Sequence, residues 1–154
     1  MARRSAVPLS LPPSFSLFVA TLRLEIVTPE ARVYADDVNY VVIPAIEGEM
    51  GIYPSHEPMM TQIKPGELVV TKGGEVQHLA VGEGFVEMTQ AHMNVLVDMA
   101  IEAKAIDPHA AEDAVKRAEA RLKEGNLGDE EVAAVQAALQ KSMALLHVKR
   151  RRHG

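Results

Sequence analysis

Between residue 22 and about residue 100, apolar side chains recur at every second position, and turn-forming residues interrupt them every roughly eight to twelve positions. A period of two puts one face of a strand on a core and the other in water. The pattern predicts an antiparallel β-sandwich of about ten short strands. Leu22, Leu24 and Ile26 alternate with Arg23 and Glu25 in the first strand, and Val38, Tyr40 and Val42 continue the alternation until Pro44, which has no N–H to give a ladder, ends it. Residues 67–71 and 75–81 read as two strands split by Lys72, Gly73 and Gly74, a tight hairpin turn. Residues 85–89 and 92–99 form the last pair.

Beyond Ala100 the period changes from two to 3.6. Asp107 is placed to cap free backbone N–H groups, and Pro108 suits a first helical position, where its missing N–H costs nothing. Ala111, Val115, Ala118 and Leu122 mark one face, and Gly125 with Asn126 stops the helix. Asp129 is expected to cap a second helix whose apolar stripe is Val132, Val135, Leu139, Met143 and Leu146. The short connection implies an antiparallel helical hairpin. The expected organisation is therefore a flexible extension over residues 1–20, the sandwich over 21–104, the hairpin over 105–148 and a basic tail over 149–154.

Ordering such a hairpin costs about 1.5 kcal/mol per residue, while each large apolar side chain returns only about 1.5 to 3 kcal/mol when buried. The hairpin needs a surface to lean on, either its own sandwich or another chain. A marginal element with two docking surfaces is suited to a switch.

Composition narrows the function. With 154 residues and 47% hydrophobic content, the chain can bury one core plus a small appendage. It has no cysteine, which excludes disulfides, thiolate catalysis and zinc-thiolate sites. A net charge of −5, an aromatic fraction of 4% and no tryptophan argue against nucleic acid as a partner. No apolar run approaches the roughly 20 residues that span a bilayer, so the chain is expected to be soluble. Residues 1–20 carry Arg3 and Arg4 and an apolar stretch broken by Pro8, Pro12 and Pro13. They fit a disordered extension or an organelle transit segment better than a signal peptide.

No catalytic constellation assembles. His56 and Glu57 match the start of a zinc-protease H-E-x-x-H helix, but position 60 is Met60 and Pro58 forbids a helix interior. His78 and His92 are assigned to the wet faces of strands. Gly48, Gly51, Gly82 and Gly84 lack the lysine and the helix that a phosphate loop requires, and read as turn and bulge residues. Asp36 and Asp37 form an isolated acidic pair in a solvated turn. No metal site and no independent catalysis are expected.

The residues that carry family information lie at 48–66. Gly48, Gly51, Pro54, His56, Pro58, Thr61, Pro65 and Gly66 fall in register with the signature of the epsilon subunit of F-type ATP synthases, G-x-x-G-[ILV]-x-P-x-H-x-P-[LM]-[LMV]-T-x-[IL]-x-P-G, and residues 22–29 and 80–85 resemble that family's opening strand and later glycine-rich strand entry. The resemblance covers about residues 21–150. It implies a non-catalytic rotor subunit joining the central gamma stalk to the ring of c subunits, with a sandwich for coupling and a helical hairpin that modulates ATP hydrolysis by the alpha-beta head. It also implies a peripheral position on the cytoplasmic side of a bacterial membrane, or an organellar counterpart. The first helix resembles the family's [IL]-D-x-x-R-A nucleotide-sensing motif through Ile106, Asp107 and Ala111, with Ala110 standing where the motif has arginine; Arg117 falls where a second family arginine commonly sits. ATP thereby enters as a regulatory ligand, and a stand-alone nucleotide-sensing module is the rival reading.

Two partner surfaces are expected. Ile52, His56, Met59 and Met60 form one, since residues 48–66 hold more apolar side chains than a solvated loop needs, with core packing of Met60 and Ile63 as the competing explanation. Lys149, Arg150, Arg151 and Arg152 form the other. They read either as a solvated, fraying tail or as a dock for an acidic surface, reached in the resembling family on the beta subunits.

Overall fold

A computed structural model describes residues 19–151. The expectations for residues 1–18, and for Arg152 and the rest of the basic tail beyond it, lie outside the described residues. Ten strands come first within the described span: β1 (Leu22–Val27), β2 (Arg32–Val38), β3 (Tyr40–Ala45), β4 (Gly48–Ile52), β5 (Met59–Ile63), β6 (Gly66–Lys72), β7 (Glu75–Val81), β8 (Gly84–Met88), β9 (His92–Val97) and β10 (Ala100–Glu102). A 3-10 turn at Ala103–Ala105 leads to two helices, α1 (Pro108–Glu124) and α2 (Asp129–Arg151).

The strands follow the order β10-β7-β6-β3-β5-β8-β9-β1-β2, with β4 paired to β3. Between β3 and β5 only Ala45 faces Ile63. The path folds over at that weak link into two layers, β10-β7-β6-β3-β4 and β5-β8-β9-β1-β2. At the other side β2 passes into β3 through Asn39, whose backbone N–H donates to Thr71 O at 2.9 Å and whose Oδ1 accepts from the Gly73 N–H at 2.7 Å. An ion pair between Lys72 and Asp36 adds to this closure. The Lys72 ammonium, ahead of the Asp37 N–H, holds the exposed Asp36 carboxyl below its ordinary pKa.

Leu22, Leu24 and Ile26 of β1, Val41 and Ile43 of β3, Leu68 and Val70 of β6, Leu79 and Val81 of β7, and Val86, Met88, Met93 and Val95 of β8 and β9 all point into one buried core between the layers. The period of two delivers them there from both sides. Every strand pair is antiparallel except β1 with β9, which run parallel with Leu24 opposite Met93. Pattern alone does not reveal this. No hairpin fixes the relative direction of strands so far apart in the chain.

Three expectations are corrected. Residues 38–44 are not one strand: the alternation resets at Asn39, so Val41 and Ile43 are buried and Tyr40 and Val42 only partly so. Pro44 does not end the strand, because only its carbonyl is used, accepting from Lys64 N–H at 3.0 Å. Residues 48–66 are not one loop but the strands β4 and β5 flanking a turn at residues 53–58.

In the helices, the Asp107 carboxylate accepts from the His109 and Ala110 N–H groups at 3.0 and 3.3 Å, and Gly125 ends α1 at φ 69°, as their residue types demand. The cap of α2 differs from expectation. The Gly128 carbonyl accepts from Val132 N–H at 2.9 Å and the Glu131 side chain accepts from Gly128 N–H at 3.2 Å, so Gly128 is the capping residue and Asp129 is already helical. The stripe of α2 is also rotated. Met143 is 54% exposed, while Val148 is fully buried and Leu145 partly so.

The main core contains no residue of either helix. A chain ending at Ala105 is therefore expected to keep its β-type circular dichroism, and loss of that signal would show that the hairpin is needed to fold the sandwich. A second expectation concerns the approach of β8 to β9, where a Cβ on Gly84 would lie 1.8 Å from the Leu96 carbonyl oxygen. Gly84→Ala should force these backbones apart and cost on the order of 1–3 kcal/mol in urea denaturation; an unchanged midpoint would contradict the packing.

Candidate functional site: an apolar outer face and a docked hairpin

Strand β8 buries Val86 and Met88, so Phe85 shares the outer face with Glu87. Strand β9 buries Met93, Val95 and Val97, so Leu96 shares that outer face with Asn94. Phe85 stands directly opposite Leu96 on one side and Gln62 of β5 on the other, with Met60 of β5 opposite Glu87. Met60, Phe85 and Leu96 are 71%, 54% and 51% exposed. Side chains opposite one another on one face lie about 5 Å apart, and diagonal ones about 7–8 Å, so these three form one apolar row across three strands with a polar rim. Scattered exposed apolar residues are ordinary; a contiguous row is the less common arrangement.

Of the expected contact residues in this region, Met60 lies in the row. Ile52 is a correction: it is fully buried opposite Val41 and belongs to the core. Met59 is half-buried against the same core. His56 Nδ1–H donates to the neighbouring Glu57 carbonyl at 2.8 Å, inside a turn where Ser55 takes a φ of 64°. The exposed ring of Tyr53 leads that turn and stacks on Tyr40 with centroids 4.3 Å apart. Ile63 is core, whereas Met60 is not. Phe85 and Leu96 were not anticipated. Their signal was in the sequence, as large apolar residues in phase with polar neighbours rather than with the buried set.

On the other layer, α2 lies over the outer faces of β6 and β7. Ala80, Ala103, Ile106 and Val148 form a second, small buried cluster flanked by Met99, Ile101 and Leu145. Polar contacts surround it. Lys141 pairs with Asp98, Lys149 Nζ donates to the Ala103 carbonyl at 3.2 Å, and Arg151 Nη1 donates to Glu67 Oε2 at 2.6 Å. Glu67 Oε1 accepts from His78 Nδ1 at 2.6 Å. His78 is thus not on a wet face but beneath the hairpin. Residues 149–151 are likewise no fraying tail: they are the last turn of α2, two of them hold the sandwich, and Arg150 approaches Glu112 of α1 at 3.9 Å.

The residues matched to the nucleotide motif are not brought together. Ile106 is buried in the small cluster, Asp107 is engaged as the cap of α1, and Ala110 is exposed. Arg117 lies ten residues beyond Asp107, nearly three turns along α1 and about 15 Å at 1.5 Å per residue. It lines an open groove of about 520 Å³ between the helices, with Arg121, Glu131 and alanines of both. Among the described residues no group of three or more His, Asp or Glu side chains is arranged to hold a metal ion.

Two family models match the chain: ATP synthase, delta/epsilon chain, beta-sandwich domain over residues 21–103, and the long alpha-helix domain of the same chains over residues 104–150. An ATP synthase epsilon chain of Dehalococcoides mccartyi is 42% identical over 137 residues, covering 88% of this chain and 98% of its own length. Epsilon chain 2 of Syntrophotalea carbinolica is 40% identical over 127 residues, covering 82% of this chain and 92% of its own. Among solved structures, a chain of the Euglena gracilis mitochondrial ATP synthase superposes with a TM-score of 0.69 at 23% identity, covering 82% of this chain and 79% of that one. A chain from the central stalk and c-ring of the Tetrahymena thermophila enzyme gives 0.55 at 13%, covering 86% and 96%. At these identities the two structures speak to the fold.

Because Phe85 and Leu96 belong to neither core cluster of the described residues, Phe85→Ser with Leu96→Ser should leave stability within about 0.5 kcal/mol. Thermal unfolding of the double variant checks this, and a large drop would place the row in the core instead.

Proposed function

The chain belongs to the ATP synthase delta/epsilon family, as a non-catalytic rotor subunit of an F-type enzyme, and we propose that its two halves divide the work of that subunit. The sandwich is the coupling element. It seats on the gamma stalk and the c-ring, and the exposed row Met60, Phe85 and Leu96 packs against an apolar surface of the stalk. The observation that carries this is the row itself: three large side chains at outward positions of well-patterned strands, left exposed by every other described residue. A close-packed interlayer core of low compressibility lets the sandwich pass torque between its partners without deforming.

The hairpin is the regulatory element. Its docked form rests on a small cluster and a few polar contacts. Released, α2 presents Lys149, Arg150 and Arg151 to an acidic surface of the alpha-beta head and slows ATP hydrolysis. Nucleotide binding is no part of this reading, since Asp107 is used as a helix cap and Ala110 offers no guanidinium. The synthase is membrane-associated, and no helix among the described residues is long and apolar enough to cross a membrane itself. Relatives from bacteria support placing the subunit on the cytoplasmic face of a bacterial membrane.

The test is ATP hydrolysis by a cognate, gamma-containing head stripped of its epsilon chain. The full chain should bind saturably and inhibit, a chain ending at Ala105 should bind without inhibiting, and Phe85→Glu should weaken binding by about tenfold or more. Equal inhibition by the truncated chain would remove the regulatory role of the hairpin. Unchanged binding by Phe85→Glu would move the stalk contact elsewhere.

A further inference from the structure

Glu67 is an unusual residue for the place it occupies. It sits on the outer face of β6 beneath α2, its side chain 5% exposed, with one carboxylate oxygen on Arg151 and the other on His78, each at 2.6 Å. An ionised carboxylate withdrawn from water is costly unless its lone pairs are taken by charged or strongly donating partners. A face that is covered permanently is ordinarily lined with large apolar side chains, as the inner face of the same strands is with Leu68, Val70, Leu79 and Val81. The outer face instead offers Glu67 and the partly buried Val69 on β6, His78 and Ala80 on β7, and beside them Ala103. Such a face tolerates both states. Covered, its carboxylate is satisfied; uncovered, it exposes Ile106 and the flanking Met99 and Ile101, a far smaller apolar set than the inner face buries, and Glu67 and His78 return to water.

We propose that Glu67 is the catch of the hairpin: a carboxylate set in β6 that grips the guanidinium of Arg151, is steadied by His78, and sets how much of the population is docked. The proposal rests on the reading of the hairpin as a movable arm and names the residue that holds it. Arg151 lies at the end of α2 farthest from the 125–128 connection, so the contact acts where the helix would peel first. In the ion pair of Lys141 with Asp98 both side chains are about one-third exposed, 31% and 34%, whereas in the catch the Arg151 side chain is 59% exposed and the carboxylate it meets is only 5% exposed, so what sets the catch apart is the withdrawn carboxylate. One consequence is exclusive use. While Glu67 holds Arg151, that cation is withheld from any acidic partner surface, so docking on the sandwich and docking elsewhere compete for the same group.

The chain has no cysteine, which allows a clean distance measurement. Donor and acceptor dyes on Glu75→Cys and Gln140→Cys, both exposed positions, report docking of α2 by energy transfer. Glu67→Gln and Arg151→Gln are each expected to lower the docked-to-undocked ratio by about tenfold. The double variant should fall no further than the worse single one, because the two residues act as a unit. Arg32→Gln, which removes an exposed ion pair with Glu25 between β1 and β2 on the other layer, should leave the ratio unchanged. Should Glu67→Gln lose its circular dichroism signal, Arg151→Gln, altered at an exposed side chain, carries the test by itself. An unchanged ratio in Arg151→Gln, or losses that add in the double variant, would overturn the catch. Hydrolysis measured on the same variants separates the two readings: a shifted ratio with unaltered hydrolysis keeps the catch and removes the regulatory role.

Discussion

Strands β6 and β7 are covered on both faces, and by different chemistry on each. Inward, Leu68, Val70, Leu79 and Val81 interdigitate with the opposite layer in a core that excludes water completely. Outward, Ala80 and a paired Glu67 meet Val148 and Arg151 of α2. A strand with side chains of period two can satisfy two such neighbours only if every position keeps its phase. A one-residue slip in this hairpin would turn Glu67 into the apolar core and Leu68 out under the helix. The Lys72–Gly74 turn that fixes the register therefore sets the integrity of the core and the docking of the hairpin together.

The two interfaces differ in kind. Between the layers, burial of branched aliphatic side chains is worth about 1.5–3 kcal/mol each, and no charge intrudes. Under α2, a small apolar cluster of Ala80, Ala103, Ile106 and Val148 is ringed by charge-assisted hydrogen bonds whose groups are at home in water. The first interface builds a rigid body; the second builds a joint. A subunit that must turn as a solid piece while changing its reach needs both, and this fold keeps them on opposite faces of the same pair of strands. The apolar row of Met60, Phe85 and Leu96 lies on the other layer, so the surface proposed for the stalk is separated from the joint by the full thickness of the core.

Much of this architecture was legible from the residues. Period-two alternation located the strands, the change to 3.6 located the hairpin, and Asp107, Pro108 and Gly125 marked the helix ends through hydrogen-bonding capacity and backbone freedom. What escaped was whatever depends on neighbours distant in sequence. Pro44 reads as a strand end because its missing N–H is a local fact, while the partner that uses its carbonyl, Lys64, is not. Ile52 reads as a contact residue in the sequence and is core in the fold, because β4 folds back on β3. Met143 and Val148 exchanged roles because α2 faces a sheet as well as a helix, and a single stripe cannot describe two contact directions. The basic residues of α2 read as a tail because their partners, the Ala103 carbonyl for Lys149, Glu112 for Arg150 and Glu67 for Arg151, all lie far back along the chain.

The parallel pairing of β1 with β9 bears on how the molecule comes into being. Strand β1 has a local antiparallel neighbour in β2, but its other edge stays open until β9 has been made and brought alongside. Contacts between segments so far apart demand closure of a long loop before they return any stabilisation, which slows folding and prolongs the exposure of unpaired strand edges. On the ribosome the first strand must wait for almost the whole sandwich to emerge, and β1 is the strand whose open edge is at risk of pairing with another chain in the interval.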